Sequence, residues 1–161
     1  MKAEKNEKAL FALGCFWGAQ EAYRTQKGVI STRVGYTGGH FPNPTYKDVC
    51  SDKTGHAEAV EVIFDPSIVS YEELLDLFWD IHDPTTPNRQ GWDVGSQYRS
   101  AIFYVNEKQR EKALKSKERM ERSGRFKKPI VTEVTKAKKF FEAEAYHQLY
   151  VLKKKKHPFI Y

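Results

Sequence analysis

Cysteine is scarce in this 161-residue chain, which carries two, Cys15 and Cys50. Two cysteines cannot build the disulfide framework of a small secreted protein, and no Cys-x-x-Cys pair or Cys/His cluster suggests zinc; no metal is expected. A reducing compartment fits this usage best. Long hydrophobic runs are missing as well. The apolar stretch nearest the start, Ala9-Leu10-Phe11-Ala12-Leu13, is too short for a secretory leader or a membrane span. Ala12-Leu13-Gly14-Cys15 bears a faint likeness to a lipoprotein cleavage site, but so short a run in front of it argues against one. The chain is therefore read as soluble and cytoplasmic, with no membrane attachment. Internal repeats and low-complexity segments are also absent.

What is present is the composition of a globular protein: 40% hydrophobic and 14% aromatic residues against 30% charged. At this length one domain spanning 1–161 can bury a real core, and that core should be rich in aromatic rings. Residues 1–8 and 153–161 are expected to be flexible ends, and the chain is taken as a monomer. The net charge of +6 invites a nucleic-acid reading. Much of the excess lies in Lys127-Lys128, Lys136, Lys138-Lys139 and Lys153 to Lys156, without the interleaved aromatics of a stacking platform, so a solvated face is the better reading.

Hydrophobic periodicity orders the chain. Ala9 to Leu13 reads as a buried strand and Ala19 to Arg24 as a helix. Gly28 to Tyr36 alternates as a strand with Ile30, Thr32, Val34 and Tyr36 on one face. The Gly- and Pro-rich stretch Thr37 to Pro44 is irregular, and Thr45 to Ser51 predicts a short helix. His56 to Phe64 is the clearest strand. A helix follows, with Ser70 and Glu73 as its capping box, Val69 and Leu74 as a hydrophobic staple, and Tyr71, Leu74, Leu75, Phe78 and Trp79 as its apolar stripe. Asp83 to Tyr98 is a second long irregular stretch, of a length usually reserved for function. Ser100 to Val105 predicts a strand, and Asn106 to Gly124 a capped, highly charged helix with only Ala113, Leu114 and Met120 as apolar residues. Ile130 to Thr135 reads as a last strand. Phe140 to Lys154 reads as a last helix, burying Phe141, Ala145, Leu149 and Leu152. The leading order, strand-helix-strand-strand-helix-strand, is that of a ferredoxin-like two-layer α/β sandwich of the α+β class, here with an extra strand and C-terminal helices. The first strand would be central.

Two residues carry chemical interest before any comparison. Cys15 falls at a strand-to-helix turn, where backbone N–H groups and the positive helix end favour thiolate. Beside Phe16 and Trp17 it reads equally as a buried small hydrophobe. Glu58 shares a strand face with Val60, Val62 and Phe64, where desolvation would raise its pKa as a general acid requires. Alternatively, it lies at a frayed strand start and reaches solvent. Tyr46 and Tyr98, in the two irregular regions, read by themselves as ordinary loop aromatics.

Seven segments, in order, cover nearly the whole chain: Gly14-Cys15-Phe16-Trp17-Gly18, Gly35-Tyr36-Thr37-Gly38-Gly39, Pro44-Thr45-Tyr46, Thr54-Gly55-His56-Ala57-Glu58, Asn88-Arg89-Gln90-Gly91, Asp93 to Ser100, and Ala145-Tyr146-His147-Gln148. Together they closely resemble the peptide methionine sulfoxide reductase A family. The resemblance implies thiol-dependent reduction of the S epimer of methionine sulfoxide, free or in oxidised proteins. Cys15 would be the nucleophile, Phe16 and Trp17 the slot for the S-methyl group, Glu58 the proton donor, Tyr46 and Tyr98 its companions at the oxygen, and Asp93 a polar lining residue. No metal or organic cofactor is implied. The sulfenic acid left on Cys15 needs a thiol reductant, whether glutaredoxin with glutathione, thioredoxin or dithiothreitol. Many relatives carry a resolving cysteine in a C-terminal tail, whereas this sequence ends Lys153 to Tyr161 without one. Cys50 is expected to pack inward in a structural role, which leaves a one-cysteine cycle. Trp92 stands where the family often has a small polar residue. The competing readings are another cysteine-dependent redox or acyl-transfer enzyme, with His56 or His147 as base, and a basic RNA-binding module. The strands lack the clustered aromatics expected of the latter.

Overall fold

The computed structural model describes residues 5–156. The strands and helices are β1 Glu7–Leu13, α1 Phe16–Arg24, β2 Val29–Thr37, α2 Tyr46–Cys50, β3 Ala57–Phe64, α3 Tyr71–Asp80, β4 Arg89–Gln90, β5 Asp93–Val94, β6 Ser100–Tyr104, α4 Glu107–Arg122, β7 Glu133–Lys136, β8 Phe141–Glu142 and α5 Tyr150–Lys156. Six strands form one sheet in the order β7-β6-β1-β3-β2-β8, and β4 with β5 makes a separate hairpin. The four central strands, β6-β1-β3-β2, are antiparallel neighbours in the ferredoxin-like arrangement, with β1 inside the sheet. Strand β7 adds parallel to β6, and β8 antiparallel to β2.

Strand alternation divides the core between the two sheet faces. From β1, Ala9, Phe11 and Leu13 join the helix-covered side with Val60, Val62 and Phe64 of β3. Leu10 and Ala12 face the other way with Ala57, Ala59, Ala101 and Phe103. The helix side is aromatic: Phe11 stacks on Tyr23 with ring centroids 5.0 Å apart, and packs against Tyr71 and Phe78. Helix α3 begins as its residues dictate, with Ser70 and Glu73 exchanging both bonds of a capping box. Highly charged α4 seats itself with polar groups. Gln109 and Ser116 are buried with Ala113, Ser116 accepts the indole N–H of Trp79 at 2.8 Å, and Gln109 donates to the carbonyl of Lys8. Among the described residues no helix is long and apolar enough to cross a membrane.

Several elements differ from their sequence reading. A bulge between Val29 and Ser31 turns Ile30 outward, so it leaves the face shared by Val34 and Tyr36. The stretch from Asp83 to Tyr98 is partly ordered, holding the β4–β5 hairpin and a 3₁₀ turn at Ser96–Tyr98. The long C-terminal helix does not form. Phe141–Glu142 is strand, Ala145–His147 a 3₁₀ turn, Leu149 has φ of 54°, and helix begins only at Tyr150. None of Phe141, Ala145, Leu149 and Leu152 is buried, whereas Ala143 and His147 are. The reason is tertiary. The open edge of β2 recruits this segment: β8 pairs with Gly35 and Tyr36, and the Gln148 side chain then bonds both the N–H and the carbonyl of Val34. Of the ends expected to be flexible, Glu7 and Lys8 pair in β1 and Lys153 to Lys156 lie in α5. Residues 1–4 and 157–161 lie outside the described residues.

Candidate active site

Sheet register brings three separate sequence segments to one place. Leu13 of β1 pairs with Ser100 of β6, so the turn that carries Cys15 leaves β1 at the end of the sheet where the segment carrying Tyr98 enters β6. On the other side Phe11 pairs with Val60 of β3, and the same register two residues on sets Leu13 opposite Glu58. The sharp turn out of β1 uses Gly14 at φ 97°, where a side chain would be strained, and an added Cβ would lie 2.7 Å from Gln90 Cγ. Cys15 is then the N-cap of α1.

The electrostatics of Cys15 and Glu58 run against ionisation. Burial pushes the Cys15 thiol up to about 11, the N–H groups of Trp17 and Gly18 oppose this, and the charges of Glu58 and Asp93 reinforce it. The helix start therefore acts on the sulfur as the sequence suggests, but desolvation is the larger effect. Glu58 is 2% exposed, so it is no frayed strand end. Burial raises its carboxyl to about 8, against the N–H of Phe16, which donates to Oε1 at 3.2 Å. At neutral pH both groups hold their protons.

Around this pair stand aromatic rings. Phe16 is buried against Tyr36 and His147. Trp17 stacks on Tyr150 at 3.8 Å, and its indole N–H donates to His147 Nδ1 at 2.9 Å. Tyr46 is the first residue of α2, a helix started by a capping box between Thr45 and Asp48. Its backbone N–H is held by Glu144, which also accepts the hydroxyl of Tyr36. The hydroxyls of Tyr46 and Tyr98 lie against one another. Burial raises both, Tyr98 to about 12. Asp93 is exposed on the β4–β5 hairpin, yet its charge acts on Cys15, Glu58 and Tyr98. Beside it Trp92 is 96% exposed, at the hairpin turn.

All seven residues singled out from the sequence thus belong to this neighbourhood. Glu144 and Tyr150 join them without having been singled out, their only sequence signal being a place next to the segment Ala145 to Gln148, and His147 joins them although the sequence raised it only as a base in the competing enzyme reading. Cys50 does not pack inward. It is exposed, and its thiol lies against the Tyr46 hydroxyl one helical turn earlier, while Val49 takes the buried position. Neither histidine is free to serve Cys15 as base. His56 accepts the N–H of Gly39 at Nδ1 and bonds the Phe41 carbonyl at Nε2, and His147 Nδ1 is occupied by Trp17. A groove of about 660 Å³ between the end of α3 and residues 125–128 holds neither cysteine nor tyrosine. Among the described residues no three His, Cys, Asp or Glu side chains gather as a metal site needs.

With the geometry in place, similarity to known proteins is informative. The model of the peptide methionine sulfoxide reductase family matches residues 7–161. The peptide methionine sulfoxide reductase MsrA of Methanosarcina acetivorans is 64% identical over 148 residues, which span 92% of this chain and 79% of that protein. The crystal structure of Mxr1 from Saccharomyces cerevisiae in reduced form superposes with a TM-score of 0.88 at 36% identity, covering 99% of this chain and 90% of that one. Mxr1 in complex with Trx2 gives a TM-score of 0.65 at 26% identity, covering 92% and 87%.

Proposed function

The chain belongs to the peptide methionine sulfoxide reductase family of oxidoreductases, and on that premise we propose that it reduces the S epimer of methionine sulfoxide, in proteins and free, with Cys15 as nucleophile. The observation that carries this reading is the pairing of a cysteine at a helix start with a carboxyl that is 2% exposed and protonated at neutral pH.

Reduction of a sulfoxide needs a soft nucleophile at sulfur and a proton at oxygen. Glu58 donates that proton while the hydroxyls of Tyr46 and Tyr98 hold the oxygen, and Phe16 and Trp17 receive the S-methyl group. Asp93 lines the polar side. The Cys15 sulfur attacks the substrate sulfur as its own proton departs, and that proton restores the Glu58 carboxyl. Oxygen passes to Cys15, so methionine leaves and a sulfenic acid remains. A thiol pKa near 11 is compatible with this sequence, because thiolate forms as the oxygen takes up its proton.

Regeneration falls to an external thiol, which attacks the sulfenic acid and is then displaced from the mixed disulfide by a second thiol. A small thiol, a glutaredoxin or a thioredoxin could supply it, and the complex of the relative Mxr1 with Trx2 supports a protein partner. Residues 153–161 carry no cysteine, and this supports a cycle in which an external thiol acts directly; Cys50, exposed with its thiol against the Tyr46 hydroxyl, is the one internal thiol that could compete.

Anaerobic turnover of each methionine sulfoxide epimer with dithiothreitol tests the proposal. The S epimer should be consumed and the R epimer spared, and folded Cys15→Ser should be inactive on both. Substantial S-epimer reduction by Cys15→Ser would exclude the mechanism.

A further inference from the structure

His147 has no part in the chemistry set out above, yet it is 1% exposed and walled by rings. Phe16, Trp17, Tyr46 and Tyr146 surround it at centroid distances of 5.1, 5.7, 4.6 and 4.1 Å. An indole nitrogen only donates, so the 2.9 Å bond from Trp17 makes Nδ1 the bare nitrogen and puts the proton of the neutral ring on Nε2. That Nε2 is buried without a hydrogen-bond partner among the described residues. A histidine retained for packing alone has no reason to bury an unmatched N–H, since an apolar ring of similar shape avoids that loss.

The indole of Trp17 is constrained from two directions. Tyr150 lies flat on it, with planes 10° apart, which limits tilt but leaves the ring free to slide and rotate in its own plane. The bond to His147 removes that freedom. His147 is itself held from both sides: its backbone N–H bonds the Glu144 carbonyl, and the side-chain amide of the next residue, Gln148, bonds the N–H and carbonyl of Val34 in β2.

We propose that His147 is the positioning residue of the S-methyl slot, setting the slot's width by holding the indole N–H of Trp17. This rests on the reading of Trp17 as a wall of that slot. The charged and titratable groups around the ring are the Glu144 carboxylate on its own segment, the phenols of Tyr46 from α2 and of Tyr146, and Lys153 of α5, whose Nζ bonds the Ala145 carbonyl. Burial lowers the His147 pKa, and Glu144 partly offsets this, so the neutral acceptor persists through neutral pH.

The test compares wild type with Trp17→Ala, Trp17→Phe, His147→Gln and His147→Phe. Two quantities are read: the ratio of kcat/KM for S-methyl over S-ethyl sulfoxide, and the ¹⁵N-resolved indole N–H resonance of Trp17, assigned by its loss in Trp17→Phe. His147→Phe should reduce the methyl preference severalfold, up to about tenfold, and shift the resonance toward that of an unbonded indole. His147→Gln, which keeps an acceptor, should restore much of both. A packing role predicts the reverse order, since Phe is the closer match in shape. A methyl preference unchanged in folded His147→Phe overturns the proposal, as does an indole resonance of Trp17 that does not shift in that variant. If Trp17→Ala itself leaves the preference unchanged, the slot reading fails and the proposal with it. Loss in Trp17→Ala without loss in His147→Phe overturns the role of His147 alone.

Discussion

Glu58 makes a prediction with opposite consequences for activity and stability. Its folded pKa of about 8 exceeds the ordinary 4.5, so the folded state binds this proton more tightly than the unfolded chain does. The stability it contributes is complete below 4.5 and is lost as pH rises through 8, on the order of 3–5 kcal/mol. Glu58→Gln removes the titration. Its melting temperature should therefore gain on wild type between pH 5 and 9, as calorimetry across that range would register. Activity should move the other way. Wild-type kcat/KM should fall above about pH 8 as the acid ionises, whereas Glu58→Gln should be about 10²-fold slower or more and should lack that limb. Equal rates for the two proteins would remove Glu58 from the acid role. Trp92, by contrast, touches little at 96% exposure, so Trp92→Asn should leave stability within about 0.5 kcal/mol in a denaturant titration.

Helix α2 is five residues long, too short to persist on propensity alone. It stands because Thr45 and Asp48 cap each other and Glu144 grips the N–H of Tyr46. Thr45→Ala should cost about 1 kcal/mol, a fall of about 2–4 °C in melting temperature. The same change loosens Tyr46 at the first helical position, so turnover should drop by more than that small loss suggests. A variant as destabilised as expected but fully active would show that Tyr46 is held by Glu144 alone. The capping residues that define α2 and α3 are local, and so they are readable. The segment from Phe140 to Leu149 is the contrary case: its helical pattern is real, but the edge of β2 offers better hydrogen bonds.

Across the whole molecule, His82 ties three elements together. Its Nδ1 bonds the Phe78 carbonyl of α3, its Nε2 the Ser100 hydroxyl of β6, and Ser100 meets Thr132 ahead of β7. Burial lowers its pKa to about 4 from 6.5. The unfolded chain therefore binds more protons between those values, so stability is complete above 6.5 and is lost as pH falls toward 4. The loss is on the order of 2 kcal/mol. Unfolding in denaturant at pH 7 and pH 4.5 should reveal it, and His82→Gln should flatten the dependence. Regeneration is also a property of the whole molecule, since it turns on which thiol reaches Cys15. Mass spectrometry after one equivalent of substrate without reductant should find sulfenic acid at Cys15. A Cys15–Cys50 disulfide, with recycling lost in Cys50→Ser, would overturn the one-cysteine cycle.

The sequence by itself determined the ferredoxin-like order of elements, the strand-to-helix turn at Cys15 and the apolar face that carries Glu58. Each follows from residues within a few positions of one another, through strand alternation, capping and turn chemistry. Tyr46, Tyr98 and Asp93 were marked as site residues only by family resemblance, because nothing local distinguishes a site tyrosine from a packed one. Tertiary structure decided the rest. It set the protonation of Cys15, since desolvation depends on what the other strands and loops cover, and it turned Cys50 outward toward Tyr46. It also drew Phe141–Glu142 and the side chain of Gln148 onto the edge of β2, bringing His147 and Tyr150 to Trp17 from some 130 residues away. Contacts at that separation are set by how strands and helices assemble, which no local pattern encodes.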